Sequence, residues 1–408
     1  MKRILLLLIA LCYISAGFAC TSAVVSGRAT PDVRPLLWKN RDTDYLQNSV
    51  KYFKGERYSF IGIVNSIKKH PTEVWMGTNS AGFSIMNTQS YNIEKDINDD
   101  DRGPGNGRIL CRALAVCATV ADFQHFLDTI AKPSGIEANI GVIDAKGGAV
   151  MFEIGYHSYK MYDANDPQVA PNGYVARTNF SFMGDKDKGS GYVRYRNEEA
   201  LLQVQAAQHA ITPAWIFGSL SRSFINPQLG IDLRKGGFNE PEASGWFTDQ
   251  DFIPRHSTAS VVVVEGVKPG ENAELTTMWT VLGYPPVSVA YPVLVKDADT
   301  LLPRLISSEP GEKNTPLGEK VDALKTRVFS YHQGTGTEKY LHWEVLFNKK
   351  GDGIIQQLAS VEEEIFCHTQ PILEAWRKKG KVDSQQLKSL YQSLSDYISE
   401  RYNALFNL

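Results

Sequence analysis

Cysteine is scarce in this chain, with five in 408 residues. That is too few and too scattered for a disulfide scaffold, and no Cys-x-x-Cys pair suggests a zinc or thiol-redox site. Histidine is scarce as well. His70, His125, His157, His209, His256, His332, His342 and His368 show neither His-x-His nor His-Glu-x-x-His spacing, which gives no sign of a zinc enzyme. Neither sign of charge dominates: 43 Lys and Arg face 45 Asp and Glu, for a formal net charge of -2. With no basic run, the balance argues against a nucleic-acid partner. Beyond the N-terminus no apolar stretch approaches the roughly 18 residues that a membrane span needs. Internal repeats and low-complexity tracts are missing too. The remainder is ordinary globular material, 43% hydrophobic and 22% charged, long enough for one large domain or two medium ones.

The N-terminus is the first informative feature. Met1 to Ala19 reads MKRILLLLIALCYISAGFA: Lys2 and Arg3, then an apolar run from Ile4 to Ile14, then the small residues Ser15, Ala16, Gly17 and Ala19. This is the pattern of a secretory signal peptide, its apolar part too short to span a bilayer stably. The expectation is removal of residues 1–19 and a secreted or periplasmic mature protein without a transmembrane span. Cleavage there makes Cys20 the first residue, and two readings of it compete. One is a lipidated cysteine, although Gly17-Phe18-Ala19 matches the usual preceding residues only in part. The other is a catalytic nucleophile, whose own α-amine (unperturbed pKa about 7.7–8.0) supplies a general base.

The segment beginning at Cys20 favours the second reading. It runs CTSAVVSGRATPDVRPLLWKNRDTD. Ala23-Val24-Val25 reads as a short strand, Thr30-Pro31-Asp32 as a turn, and Leu36-Leu37-Trp38 as a returning strand. Such a hairpin brings Lys39, Asn40, Arg41 and Asp42 back beside Cys20. A carboxylate there can hold the α-ammonium or the thiol proton, and a cation can stabilise a thiolate.

This block resembles the start of the cysteine N-terminal nucleophile (Ntn) hydrolases. The branches it resembles are the choloylglycine hydrolases, acid ceramidase and its relatives, and the acyl-coenzyme A:6-aminopenicillanic acid acyltransferases. The matching residues are Cys20-Thr21, Asp32-Val33 and Lys39-Asn40-Arg41-Asp42. Two departures stand out. Val33 replaces the family's turn glycine, which points to a different turn type. Lys39 stands where the family has Arg, keeping the charge but losing the bidentate fork, so Arg41 is a second candidate for the cation.

Further segments come in family order over about residues 20–295. Gly77-Thr78-Asn79-Ser80-Ala81-Gly82-Phe83 leads to Ile85-Met86-Asn87. Asn139 to Asp144 and Gly147 to Glu153 read as a hairpin. Val175 to Phe180 contains Asn179, and Arg255-His256-Ser257-Thr258 enters the strand Val261 to Val264. Trp279 and Leu282-Gly283-Tyr284-Pro285 resemble a late core segment. By resemblance Cys20 is the nucleophile, Asp42 and Lys39 tune it, Asn87 and Asn179 donate to the oxyanion, and Arg255 is an active-site arginine. His256 reads as a strand-end or substrate-facing residue, since the α-amine already serves as base.

Ile109 to Ile130 has helical spacing closed by Pro133, with Cys111 and Cys117 as buried thiols rather than a disulfide. Asp96 to Arg102 reads as a solvated loop. After about residue 300, helical patterns cover Val321 to Tyr331, Ile354 to Trp376 with an interruption at Pro371, and Val382 to Phe406. These read as a packing or oligomer element, or as a wall of the substrate cleft. The aromatics Tyr45, Tyr52, Phe53, Tyr58 and Phe60 line an acyl pocket or pack two sheets together, the second being the simpler reading.

The pattern itself gives mixed α and β, with strands early and helices late. The resemblance implies an α+β, four-layer αββα Ntn-hydrolase sandwich over residues 20–300, with a helical C-terminal extension over 301–408 on the same domain. It also implies hydrolysis of a linear amide in a small molecule, through a thioester on Cys20 and without cofactor or metal. Acyl transfer, an Ntn dipeptidase activity and a surface lipoprotein are the alternatives, and homo-oligomerisation is left open.

Overall fold

Stretches rich in β-branched residues recur through the first three-quarters of the chain, and the strands of both large sheets lie there. The computed structural model describes residues 20–68, 71–94, 105–236, 245–249, 251–331 and 339–408. The leader at 1–19 and the acidic segment 96–102 lie outside these residues.

Among the described residues, two large antiparallel sheets form. The first contains β1 (Thr21–Val25), β2 (Leu36–Asp42), β10 (Tyr174–Arg177), β11 (Thr258–Glu265), β12 (Thr277–Leu282) and β13 (Tyr291–Val293), in the order β10-β1-β2-β11-β12-β13. The second is a meander of β3 (Asn48–Phe53), β4 (Phe60–Asn65), β5 (Met76–Asn79), β6 (Ser84–Gln89), β7 (Ala138–Ile143), β8 (Ala149–Ile154) and β9 (Tyr159–Asp163). Strands β1, β2 and β11 are buried along their whole length, because one face meets the second sheet and the other meets helices. Gly141 on β7 shows how close the sheets come. A Cβ there would lie 2.8 Å from side-chain atoms of both Leu37 and Val24 across the interface.

Helices cover both outer faces. Helices α1 (Asn106–Val116) and α2 (Val120–Thr129) bury Leu110, Leu114 and Phe123 against Ile85 and Phe152 of the second sheet. On the other side lie α3 (Tyr192–Ala206), α4 (Pro316–Val328), α5 (Ile354–Lys379) and α6 (Ser384–Phe406). Their Leu202, Val321, Phe366 and Leu390 join Val262 and Trp279 of the first sheet in one core. The architecture is therefore α+β in four layers, αββα, with the C-terminal helices sharing the core of the first sheet. No helix among the described residues is long and apolar enough to cross a membrane.

Two local expectations need correcting. The helix expected over 109–130 is two helices. The first ends at Val116 with Cys117 in extended backbone, and Thr119 caps the second, its hydroxyl accepting from Asp122 N while the Asp122 carboxylate accepts from Thr119 N. Helix α5 runs unbroken through Pro371, since the buried Phe366, Leu373 and Trp376 anchor it on both sides. The missing N–H is the loss of one bond in a 26-residue helix.

The β1–β2 hairpin sets the later chemistry. Ser26 caps a turn of 3-10 helix at Gly27–Ala29, and the chain returns through Pro31-Asp32-Val33. Val33 has φ +63° and is 62% exposed. The position thus keeps the left-handed backbone that a glycine would favour, with a β-branched residue in it. Such a conformation costs a non-glycine residue about 1–2 kcal/mol, against roughly 0.5–1 kcal/mol for the greater unfolded freedom of glycine. Val33→Gly is therefore expected to raise the unfolding free energy by up to ~1 kcal/mol, read as a higher denaturation midpoint. A lowered midpoint would show that the valine side chain contributes contacts outweighing its backbone strain.

Candidate active site

Register in the hairpin decides which side chains meet. Thr21 pairs with Asn40 and Ser22 with Lys39, which places Cys20 at the mouth of β1 opposite the end of β2. Alternation along β2 then divides its residues between two faces. Lys39 and Arg41 turn toward the second sheet, whereas Trp38 and Asn40 turn away and hydrogen-bond to Ser221. Asp42, the last residue of β2, meets β11. There the ladder shifts between Thr258 and Ser260, a bulge that sets Thr258 opposite Asp42.

Cys20 is 5% exposed, and its thiol lies 3.8 Å from the Asp42 carbonyl oxygen, toward which it donates. It opens into a cavity of about 360 Å3 whose wall also includes Lys39, Arg41, Asp42, Asn87 and Gln89. The Asp42 carboxylate accepts from the Thr258 hydroxyl through Oδ1 (2.6 Å) and faces Arg255 Nε across 3.3 Å through Oδ2. That second contact is an ion pair without hydrogen-bond alignment, so Oδ2 keeps an acceptor position in a buried setting. Burial raises the Asp42 carboxyl above the usual carboxylate range, while Arg255, Arg194, Thr258 and Lys39 pull it back.

The Lys39 ammonium donates to Asn87 Oδ1 (2.9 Å) and to the Trp75 carbonyl (3.2 Å). It therefore fixes which way the Asn87 amide points: the oxygen is tied to Lys39, leaving the NH2 end free of that contact. Burial pushes Lys39 down to about 8, partly resisted by the negative field of Cys20. Arg41, the second candidate cation, reaches different partners, Asn48 Oδ1 (2.7 Å) and Asn65 Oδ1 (3.0 Å), and lies over the Trp75 ring at 4.6 Å. Of the two it is Lys39 that reaches Asn87.

Asn179 is placed otherwise than a direct oxyanion donor would be. It is fully buried and is not part of the cavity wall. Its amide nitrogen donates to the Gln89 carbonyl (2.8 Å), and its oxygen accepts from Arg194 (3.0 Å). Arg194 is a residue that sequence reasoning missed. From the first turn of α3 it donates to the Cys20 carbonyl (2.7 Å), to Thr21 Oγ1 (2.8 Å) and to Asn179, joining the start of β1 to the Asn179 segment. Burial lowers it to about 10, so it stays a cation at neutral pH. The one sequence signal was its place just after Gly191, where α3 starts.

Other residues resolve into supports. Asn79 braces its turn and the end of α1, accepting from Ala81 N and Phe83 N and donating to the Leu114 and Cys117 carbonyls. The His256 ring packs edge-on to Phe329, and burial lowers it to about 3, which leaves it neutral and unsuited to act as base. Behind Arg255, the buried Asp249 accepts from His256 N and is pushed up to about 7 by burial. Cys111 and Cys117 are free thiols raised by burial, Cys117 to about 12. Cys367 lies on α5 and is exposed. Of the five early aromatics, Tyr45 lines the cavity, while Phe53 and Phe60 stack at 4.7 Å on the face of the second sheet that meets α1 and α2, rather than between the two sheets.

The Lys39–Asn87 contact carries a pH signature. Below about pH 8 Lys39 is protonated, and above it the cation is lost. If turnover depends on that cation, it falls on the alkaline side with a midpoint near 8. Lys39→Arg, which restores a cation that does not titrate there, is expected to move this limb upward by about one pH unit or more. A pH–rate profile unchanged in Lys39→Arg would deny Lys39 any such role.

No protein-family model matches the chain, and no curated protein matches it. Solved structures similar to it include a conjugated bile acid hydrolase from Clostridium perfringens, at TM-score 0.42 and 11% identity, covering 67% of this chain and 92% of that one. A penicillin V acylase from Agrobacterium tumefaciens gives TM-score 0.36 and 9% identity over 68% and 87% of the two chains. An N-acylethanolamine-hydrolyzing acid amidase ortholog from Caenorhabditis elegans gives 0.35 and 16% over 48% and 86%. At TM-scores below 0.5 this stays a likeness, and the αββα fold is read from the two sheets themselves.

Proposed function

We propose that the protein is a secreted or periplasmic Ntn cysteine hydrolase that cleaves a linear amide. One observation carries this reading: Cys20 opens a central strand into a cavity it shares with Lys39, Asp42 and Asn87. Cleavage after Ala19 frees the α-amine of Cys20, and the acceptor position on Asp42 Oδ2 suits the resulting ammonium. The amine takes the thiol proton, the thiolate adds to the amide carbonyl, and the developing oxyanion is met by the amide N–H of Asn87. Collapse expels the amine leaving group, protonated through the α-ammonium, and leaves an acyl thioester on Cys20. Water, activated by the same amine, then hydrolyses the thioester and restores the thiol.

Within this scheme Lys39 orients Asn87 and adds positive charge, and Arg255 with Thr258 holds Asp42. Asn179 is a positioning residue, acting through Arg194 on the Cys20 carbonyl. The burial of Cys20 and the clamp on its carbonyl weigh against the lipidated alternative, which needs the residue at a membrane surface. Acyl transfer differs only in an amine taking the place of water.

The reading is tested by hydrolysis on the mature chain with a panel of N-acyl amino acids, N-acylethanolamines, bile-salt conjugates, penicillins and dipeptides. Release of amine with Cys20 intact, and none after its alkylation by iodoacetamide, is expected. Release unaffected by alkylation of Cys20 would overturn it.

A further inference from the structure

The cleft beside Cys20 holds two buried cations, Lys39 and Arg41, that make no direct ion pair among the described residues. Arg41 is 5% exposed, yet its hydrogen-bond partners, Asn48 Oδ1 and Asn65 Oδ1, are neutral amide oxygens, and no carboxylate lies within 4 Å of it among the described residues. Asn48 is itself fixed, donating to the Tyr45 carbonyl and accepting from Ser260, so the guanidinium is held rigidly over Trp75. These contacts use two of the five N–H donors of an arginine. Lys39 likewise has only neutral oxygens as partners. The cavity's two acids reach Arg41 only through space: Asp42 is engaged directly by Arg255 and Thr258, Glu73 sits at the half-buried rim, and both merely resist the effect of burial on the guanidinium without touching it. Past Trp75 the cleft, whose wall already includes Lys68, meets a smaller hollow of about 160 Å3 that adds Arg108. A buried cation whose direct contacts are all amide dipoles lacks a contacting counter-ion, and an incoming carboxylate supplies one through a charge-assisted, forked contact.

We infer that the substrate carries a carboxylate, seated on Arg41 at the Trp75 end of the cleft. This rests on the amide-hydrolase reading above and narrows it. The cavity wall includes the aromatics Tyr45 and Trp75, with polar or charged side chains around them. The favoured class is therefore a compact amide with a free carboxylate, such as a short N-acyl amino acid, over a neutral fatty amide.

A matched pair tests this: N-hexanoylglycine and N-hexanoylethanolamine share the acyl chain and the amide and differ in carboxylate against alcohol. The mature enzyme is expected to favour the glycine conjugate at least about tenfold in kcat/KM, as a charged hydrogen bond would give. In Arg41→Gln the ratio is expected to collapse to within about threefold, chiefly through KM for the glycine conjugate. Arg41→Lys, which keeps the charge without the fork, should fall between, and it decides the matter if the Gln variant does not fold. A ratio near one in the unaltered enzyme, or a preference that survives both substitutions, would overturn the inference. If neither compound is hydrolysed, protection of Cys20 from iodoacetamide becomes the readout. Slowing by the glycine conjugate alone upholds the carboxylate seat while the amidase reading fails, and equal or no slowing overturns the seat as well.

Discussion

Cys20→Ser is expected to lose roughly 10³-fold or more in turnover while the protein folds and keeps its stability. The substitution is nearly isosteric at a site that is already buried, and the clamp from Arg194 reaches the main-chain carbonyl, which serine retains. Only the nucleophile changes. A serine hydroxyl is far less acidic than a thiol, and the α-amine that suffices to take a thiol proton is a weak base for an alcohol. Iodoacetamide supplies the matching chemical test. Cys367 is exposed and serves as an internal reference, whereas Cys111 and Cys117 are held back by burial. Cys20, though buried, should react faster than Cys367, with activity lost in step with its modification. Labelling of Cys367 with full loss of activity and an unmodified Cys20 would place the nucleophile elsewhere.

The second large effect belongs to Asn87. Removing one oxyanion donor from a hydrolase costs about 10²–10³ in turnover. Asn87→Ala is expected to show that loss in kcat with KM little changed, because the amide meets charge that exists only in the transition state. Asn179→Ala should do less. Its amide is tied to Gln89 and Arg194, so its removal loosens the Arg194 clamp on Cys20 rather than deleting a donor from the cavity. Equal losses in the two variants would mean that Asn179 turns into the site on substrate binding. A rise in KM alone for Asn87→Ala would make it a ground-state binding residue.

The parts of this site that were legible in the sequence are those joined by short-range rules. Two apolar runs separated by a Pro-Asp turn give a hairpin, and a hairpin returns Lys39 and Asp42 to Cys20 by register alone. Alternation then puts Lys39 and Arg41 on one face, although which of them meets Asn87 depends on the facing sheet. Arg194 was out of reach for the opposite reason. It sits 174 positions from Cys20, and in a helix start a fully buried arginine is spelled like any solvated one. The same holds for Asn179, whose position was readable but whose partners were not. The Val33 turn and the unbroken helix through Pro371 show tertiary packing overriding local preference, the first by holding a valine at positive φ and the second by anchoring the helix on both sides of the proline.

The proposed mechanism stands or falls on the α-amine of Cys20 acting with its own thiol. Its most direct test compares the chain that begins at Cys20 with one carrying a single extra residue before it, both verified by intact mass, on the best substrate of the panel. The extended chain keeps the thiol, Asp42, Asn87 and the cavity, but its amine has become an amide that cannot accept a proton. The mechanism predicts an active mature chain and a roughly 10³-fold or greater loss in the extended one, restored when the extra residue is removed by an aminopeptidase. Equal turnover from the two chains would contradict it.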